Sequence, residues 1–233
     1  MTYILALDQG TSSSRALVYD TAGSVLGSAQ QSIESTYPND GWVEQDPDMI
    51  WSSILTVGRQ AIAAAKIEPA AIVGIGITNQ RETTLLWERE TSRTLYNAIV
   101  WQDRRSAAYC EDLAAQGCPP GQTDGQDVAT LIQQTTGLII DPYFSSTKLA
   151  WLLDEVDPDR FRAQGGELCF GTVDSFLVWH LTKGAHHVTD ATNASRTQLF
   201  DIAQQSWSDP LLKLFNVPAA VLPRVLDCVA DFG

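Results

Sequence analysis

Tyr3-Ile4-Leu5-Ala6-Leu7-Asp8-Gln9-Gly10-Thr11-Ser12-Ser13-Ser14-Arg15 decides how this chain reads. The apolar run over 3–7 predicts a buried strand. It leads into a carboxylate, a glycine, four consecutive hydroxyls and an arginine. Glycine lets the backbone turn tightly and approach a ligand closely. Hydroxyls and turn N–H groups bind phosphate oxygens. Asp8 would repel a bare phosphate, so its presence points to an intervening Mg2+. The segment reads as a phosphate-gripping hairpin at the start of a nucleotide-dependent enzyme.

Working outward, Arg15–Asp20 predicts a second strand, Thr21-Ala22-Gly23 a turn, and Ser24–Ala29 a third strand. Short turns between apolar strands make antiparallel hairpins. Asp46-Pro47 signals a helix start, with Asp as N-cap and Pro at the first helical position. Ile50, Ile54, Val57 and Ala61 follow at helical spacing, which predicts one buried face. Ile72-Val73-Gly74-Ile75-Gly76-Ile77-Thr78 is a near-continuous apolar run and reads as a central strand covered on both faces. Residues 83–87 and 98–101 are further strand candidates. Residues 104–116, 127–136, 146–154, 173–182 and 209–215 read as helices. An antiparallel opening followed by helix–strand alternation predicts an α/β fold with a mixed sheet. The Pro- and Gly-rich stretch 117–125 reads as an exposed excursion rather than a linker.

The chain has 233 residues and a net charge of −13, which argues against non-specific binding to nucleic acid or anionic membranes. Cys110, Cys118, Cys169 and Cys228 form no C-x-x-C pair, and no signal-peptide pattern opens the chain. Both point to free thiols in a cytoplasmic protein. No apolar stretch approaches the ~20 residues of a membrane span.

Several short motifs read as incidental. Gly74-Ile75-Gly76 lacks the third glycine of a dinucleotide fingerprint and reads as close packing. Asp231-Phe232-Gly233 has no accompanying lysine strand or His-Arg-Asp loop. Asn193-Ala194-Ser195 fits a glycosylation acceptor with nothing to indicate secretion. His180, His186 and His187 lack metal-ligand spacing and read as surface or helix-end residues.

Thr78-Asn79-Gln80-Arg81-Glu82-Thr83-Thr84 is different. It follows an apolar strand, where open α/β sheets place ligand groups. Arg81 and Glu82 set a strong donor beside a strong acceptor, and a polyol hydroxyl needs both. A solvated turn is the competing reading. Trp101 ends another strand and suits either the C–H face of a polyol or the core. Tyr143 precedes a predicted helix and suits either a site hydroxyl or packing.

Taken together, several stretches resemble the carbohydrate-kinase family of the actin/Hsp70/hexokinase fold group, and within it the glycerol-phosphorylating members. They include Ala6-Leu7-Asp8-Gln9-Gly10-Thr11, Gly41-Trp42-Val43-Glu44-Gln45-Asp46-Pro47, Gly76-Ile77-Thr78-Asn79-Gln80-Arg81-Glu82-Thr83, Tyr96-Asn97-Ala98-Ile99-Val100-Trp101-Gln102, Gly137-Leu138-Ile139-Ile140-Asp141-Pro142-Tyr143-Phe144-Ser145, Phe170-Gly171-Thr172-Val173-Asp174 and Thr189-Asp190-Ala191-Thr192-Asn193-Ala194-Ser195-Arg196-Thr197. They run collinearly along nearly the whole chain. The resemblance implies a ribonuclease H-like (actin-like ATPase) domain and ATP-dependent phosphorylation of glycerol. It gives Thr11, Ser12, Ser13 and Arg15 the ATP phosphates and Asp8 the Mg2+. It gives Arg81, Glu82, Tyr143 and Trp101 the glycerol.

It also implies longer chains of two actin-like domains, assembled as homo-oligomers, with the catalytic base in a Gly-Asp-Gln motif just past Gly233. Residues 1–233 then constitute an N-terminal domain that holds no base and is expected to be inactive alone. Two alternatives stay open. One is a pentulose or other sugar kinase of the same family. The other is an actin- or Hsp70-like nucleotide-dependent interaction protein, which needs no polyol site.

Overall fold

The structure, a computed structural model, describes residues 2–117 and 127–233. The chain divides into two compact units. One comprises the residues up to Thr36 together with Gln45–Gln80, the other Tyr37–Glu44 with Arg81–Gly233.

The first unit is built on strands β1 (Tyr3–Gln9), β2 (Ser13–Tyr19), β3 (Val25–Ser32) and β4 (Ile72–Asn79), in the order β3-β2-β1-β4. The β1–β2 and β2–β3 pairs are antiparallel and β1–β4 is parallel, so the sheet is mixed as expected. Helix α1 (Pro47–Ala65) covers one face. Asp46 caps it by accepting from the Asp48 N–H at 2.9 Å, with Pro47 in the first turn. Ile50, Ile54, Val57 and Ala61 are all buried, against Leu5, Leu7, Ala16 and Val18 of the sheet. The helical and strand periods thus meet on one apolar layer.

One expectation fails here. β4 is not a covered central strand: it lies at the edge of the sheet, with Val73 66% and Ile75 49% exposed. An apolar run records what a strand must bury and not whether a neighbour is present to bury it. The glycines of this strand are not close-packed either, since a Cβ on Gly74 or Gly76 would meet nothing within 4 Å.

In the second unit, β5 (Leu85–Glu88) pairs antiparallel with β7 (Leu168–Gly171), and β8 (Val188–Asp190) parallel with β11 (Arg224–Leu226). Between them come β6 (Ala98–Ile99), α2 (Ala107–Ala115), α3 (Val128–Thr136), α4 (Ser145–Val156), α5 (Phe161–Gln164), α6 (Val173–Leu181) and α7 (Ala191–Ala194). The hairpin β9 (Phe200–Asp201)–β10 (Ser206–Trp207) and helix α8 (Asp209–Leu214) follow. Leu86, Ile132, Leu149, Phe170, Leu211 and Phe215 share one buried cluster.

Arg105 is fully buried in this unit. It donates to Asp103 Oδ2 at 2.9 Å and Glu44 Oε1 at 2.7 Å. Its guanidinium lies 3.9 Å from the Trp42 ring centre and 4.5 Å from that of Trp151. The pairing and the aromatic faces together replace the water the cation has lost.

Cys110, Cys169 and Cys228 are free, as expected. Cys118 and the predicted excursion, Gly117 apart, lie outside the described residues. Asn193 is buried with its amide donating to Asp190, which suits a structural residue rather than a glycan acceptor. His187 departs from the surface or helix-end reading. It is half-buried between Trp87 and Trp179, with Nε2 at 2.8 Å from the Phe170 carbonyl. No helix among the described residues is long and apolar enough to cross a membrane.

Candidate functional site

The candidate residues fall into two groups, one in each unit. In the first unit, parallel pairing sets Asp8 beside Thr78 and Gln9 beside Asn79. The carboxyl ends of β1 and β4 therefore lie together, the usual location of ligand groups in such sheets. Gly10 turns the chain, its N–H donating to the Ser13 carbonyl at 2.9 Å, and a Cβ there would crowd that carbonyl. Asp8 and Arg15 are cross-strand partners and both exposed. Ser12 is exposed and Thr11 and Ser13 are half-exposed, whereas Ser14 points inward and bonds the Ser53 hydroxyl at 2.8 Å. The row of hydroxyls thus divides between a presenting set and a structural one.

A chain of amides fixes this hairpin. Gln80 Nε2 donates to Gln9 Oε1 at 3.1 Å and to Gln45 Oε1 at 2.7 Å. Gln45 Nε2 donates to the Thr11 carbonyl at 2.6 Å. The side chains of Gln9, Gln45 and Gln80 are buried. Buried amides linked in this way hold one geometry because any displacement leaves a polar group unpaired. Among the described residues no three His, Cys, Asp or Glu side chains converge to hold a metal. Asp8 offers a single exposed carboxylate, which suits a Mg2+ brought in on a nucleotide rather than a resident ion.

In the second unit, Arg81 and Glu82 are adjacent in sequence and opposite in setting. Arg81 is exposed, with no hydrogen bond or ion pair among the described residues. Glu82 is buried and left-handed, with φ +63°. A left-handed glutamate is uncommon, and such backbone strain concentrates at functional positions. The strain is held by hydrogen bonds, with the Ser145 hydroxyl at 3.1 Å and the Thr84 hydroxyl at 3.0 Å both donating to the Glu82 carbonyl. The Glu82 carboxylate accepts from Arg196 Nε at 2.6 Å.

Trp101 and Tyr143 pack together, ring centres 5.3 Å apart. Trp101 is anchored through its N–H to the Thr83 hydroxyl at 3.3 Å. Tyr143 lies on the turn into α4, held by Asp141 Oδ1, which accepts from its N–H at 2.8 Å. The Lys148 ammonium, fully buried, donates to the carbonyls of Pro142, Tyr143 and Phe144 at 2.8, 2.6 and 2.8 Å. Burial pushes Lys148 down to about 7, against Asp103 and Glu82, which favour its charge. Glu82, Trp101 and Tyr143 are thus brought into one neighbourhood, with Arg81 beside them on the outside. Arg196, Lys148, Gln45 and Gln80 were not singled out from sequence. The contacts of Arg196, Gln45 and Gln80 span up to 114 positions, which no local period reports, while Lys148 reaches back four to six positions to carbonyls that no residue type announces.

A sequence profile described as the N-terminal domain of the FGGY family of carbohydrate kinases matches residues 3–233. The chain belongs to this family. The FGGY domain is 58% identical over 230 residues to the glycerol kinase of Rhodospirillum centenum, covering 99% of this chain and 44% of that protein. It is 55% identical to the glycerol kinase of Alcanivorax borkumensis over 233 residues, covering 100% of this chain and 45% of that protein. The chain thus spans less than half the length of the curated relatives it matches. Among solved structures, Plasmodium falciparum glycerol kinase with ADP superposes with a TM-score of 0.87 at 33% identity, covering 100% of this chain and 44% of that one. A xylulose kinase from Lactobacillus acidophilus reaches 0.80 at 22% identity, with 97% and 42% covered, a likeness of fold alone. The actin-like α/β architecture expected from sequence is that of these kinases.

Proposed function

We propose that this FGGY domain is the N-terminal domain of a glycerol kinase, residues 1–233, which binds glycerol and grips the phosphates of ATP. The observation that carries the reading is the buried, strained Glu82 beside the Trp101–Tyr143 pair, in a chain whose curated relatives are glycerol kinases. Each glycerol hydroxyl both donates and accepts. Glu82 accepts, Arg81 donates, and the Tyr143 hydroxyl does either. The Trp101 ring covers the C–H face of the polyol.

Thr11, Ser12, Ser13 and Arg15 then hold the phosphate end of the nucleotide, with the Gly10 turn allowing close approach. Mg2+ on the nucleotide, met by Asp8, would neutralise charge developing on the transferred group. This chain's own contribution is to bind and orient glycerol through one group of residues and the nucleotide phosphates through the other, and catalysis in such transfers rests largely on positioning. The adenine pocket and the group that takes the hydroxyl proton are assigned to the second half present in the longer relatives. The three free thiols among the described residues suit a cytoplasmic setting.

The test is kinetic. In the full-length enzyme, Arg81→Ala removes a charged hydrogen bond worth about 1.5–3 kcal/mol, so KM for glycerol should rise about 10- to 100-fold. KM for ATP should stay within about twofold, since uniform binding to one substrate is lost. Equal effects on both, or a preference for xylulose over glycerol in the parent, would sink the glycerol assignment.

A further inference from the structure

Glu82 poses a problem that the glycerol reading does not solve by itself. Its side chain is 3% exposed, and a buried carboxylate without compensation is costly. The compensation comes from Arg196, 114 positions away, through Nε on Oε1 at 2.6 Å. The same guanidinium lies 5.8 Å from the Tyr143 ring centre and 5.0 Å from that of Phe144. One cation therefore pairs with the acid and lies near the ring of the tyrosine assigned to the polyol. Oε2 of Glu82 has no partner among the described residues.

The backbone that carries Arg196 is itself fixed. Its N–H donates to the Asn193 carbonyl at 3.0 Å, closing the turn after α7. The next carbonyl, that of Thr197, accepts from the Ser146 N–H at 2.9 Å, and Gln198 Oε1 accepts from the Ser146 hydroxyl at 2.6 Å. The loop is stitched to the first turn of α4, immediately after Tyr143 and Phe144. A side chain locked by its support is what a precise binding geometry requires.

We propose that Arg196 is a positioning residue of the polyol site: it engages one Glu82 oxygen and braces Tyr143, leaving Oε2 of Glu82 to accept a substrate hydroxyl. The inference rests on the glycerol reading of that site. Arginine is required by geometry as well as charge. A planar guanidinium holds one oxygen in line while its face lies on aromatic rings, and a lysine ammonium does only the first.

The experiment compares Arg196→Met, Arg196→Lys, Glu82→Gln and the double variant Glu82→Gln/Arg196→Met in the full-length enzyme, with glycerol and ATP varied separately. Arg196→Met should raise KM for glycerol about tenfold or more and KM for ATP by no more than about twofold. Arg196→Lys should recover only part of the loss. The double variant should fall clearly short of the product of the two single losses, because Arg196 acts largely through Glu82.

Losses that multiply in the double variant would overturn the inference, as would full recovery with lysine. If Glu82→Gln impairs glycerol use and Arg196→Met does not, the inference fails while the glycerol reading stands. If Glu82→Gln leaves glycerol KM unchanged, the reading fails and the inference with it. Should Arg196→Met not fold, the lysine variant decides, since it keeps the charge and changes only the fork and the stack.

Discussion

Lys148 shows how much of the proposed site is carried by groups placed to hold the backbone rather than a ligand. Its three N–H donors are spent on three successive carbonyls, those of Pro142, Tyr143 and Phe144. Lys148→Met keeps the volume and removes every donor. A buried acceptor left unpaired costs about 1–3 kcal/mol, so the variant should lose at least about 2 kcal/mol in urea unfolding. Amide exchange at Tyr143 should quicken more than in α6, and an unchanged rate there would count against the role. The sequence offered a lysine in the predicted helix over 146–154, which reads as solvated by default. Only the fold shows that the side chain doubles back over the N-terminal end of α4. Arg81 and Glu82 are a similar case. Their adjacency was legible, but their opposite exposure depends on the left-handed turn at Glu82, which no residue type at that position announces.

Among the elements, α1 was the most legible, because its cap and its buried stripe are both local signals. What the sequence did not disclose is how closely it approaches the sheet. Gly27 on β3 lies so near α1 that a Cβ would strike the backbone of Ala61 and Ala65. Backbone cannot yield as a side-chain tip can, so Gly27→Ala should push the helix off the strand. Overpacking of this kind costs about 1–3 kcal/mol. Thermal unfolding should fall by several degrees, while Gly74→Ala on the open edge strand should cost little of this kind. Equal effects would refute the close approach. β4 illustrates the reverse limit. Its hydrophobicity was read correctly and its surroundings were not, since a strand's neighbours are set by topology rather than by its own residues. Ser14 was decidable in principle, because alternation along β2 buries every second residue and Ser14 falls in register with Ala16 and Val18.

For the whole molecule, a buried and a half-buried titrating group oppose one another. Burial raises Asp174 to about 6, only partly offset by the Thr172 and Thr189 hydroxyls that donate to it. Its protonated form is favoured in the folded state, so its contribution is fully present below about 4 and is lost as pH rises through about 6. Burial lowers His187 to about 4. Its contribution is present above about 6.5 and is lost as pH falls through about 4. Over the shared window the two slopes cancel in part, while Lys148, near 7, is charged in both states. Each variant should therefore unmask the other. Relative to the parent, Asp174→Asn should lose stability between pH 6 and 4, and His187→Gln should gain it, each by about 2 kcal/mol. Denaturant midpoints across that range measure both, and parallel curves for all three proteins would refute the assignment.

The left-handed backbone at Glu82 has an evolutionary consequence. Glycine and asparagine adopt that conformation with less strain than glutamate, so drift toward either residue relaxes the turn. Such a change would preserve the fold while removing the carboxylate. Across descendants of this domain, position 82 is therefore a marker: a chain that has exchanged its acid for glycine or asparagine has kept the architecture and lost the carboxylate on which the proposed polyol site depends.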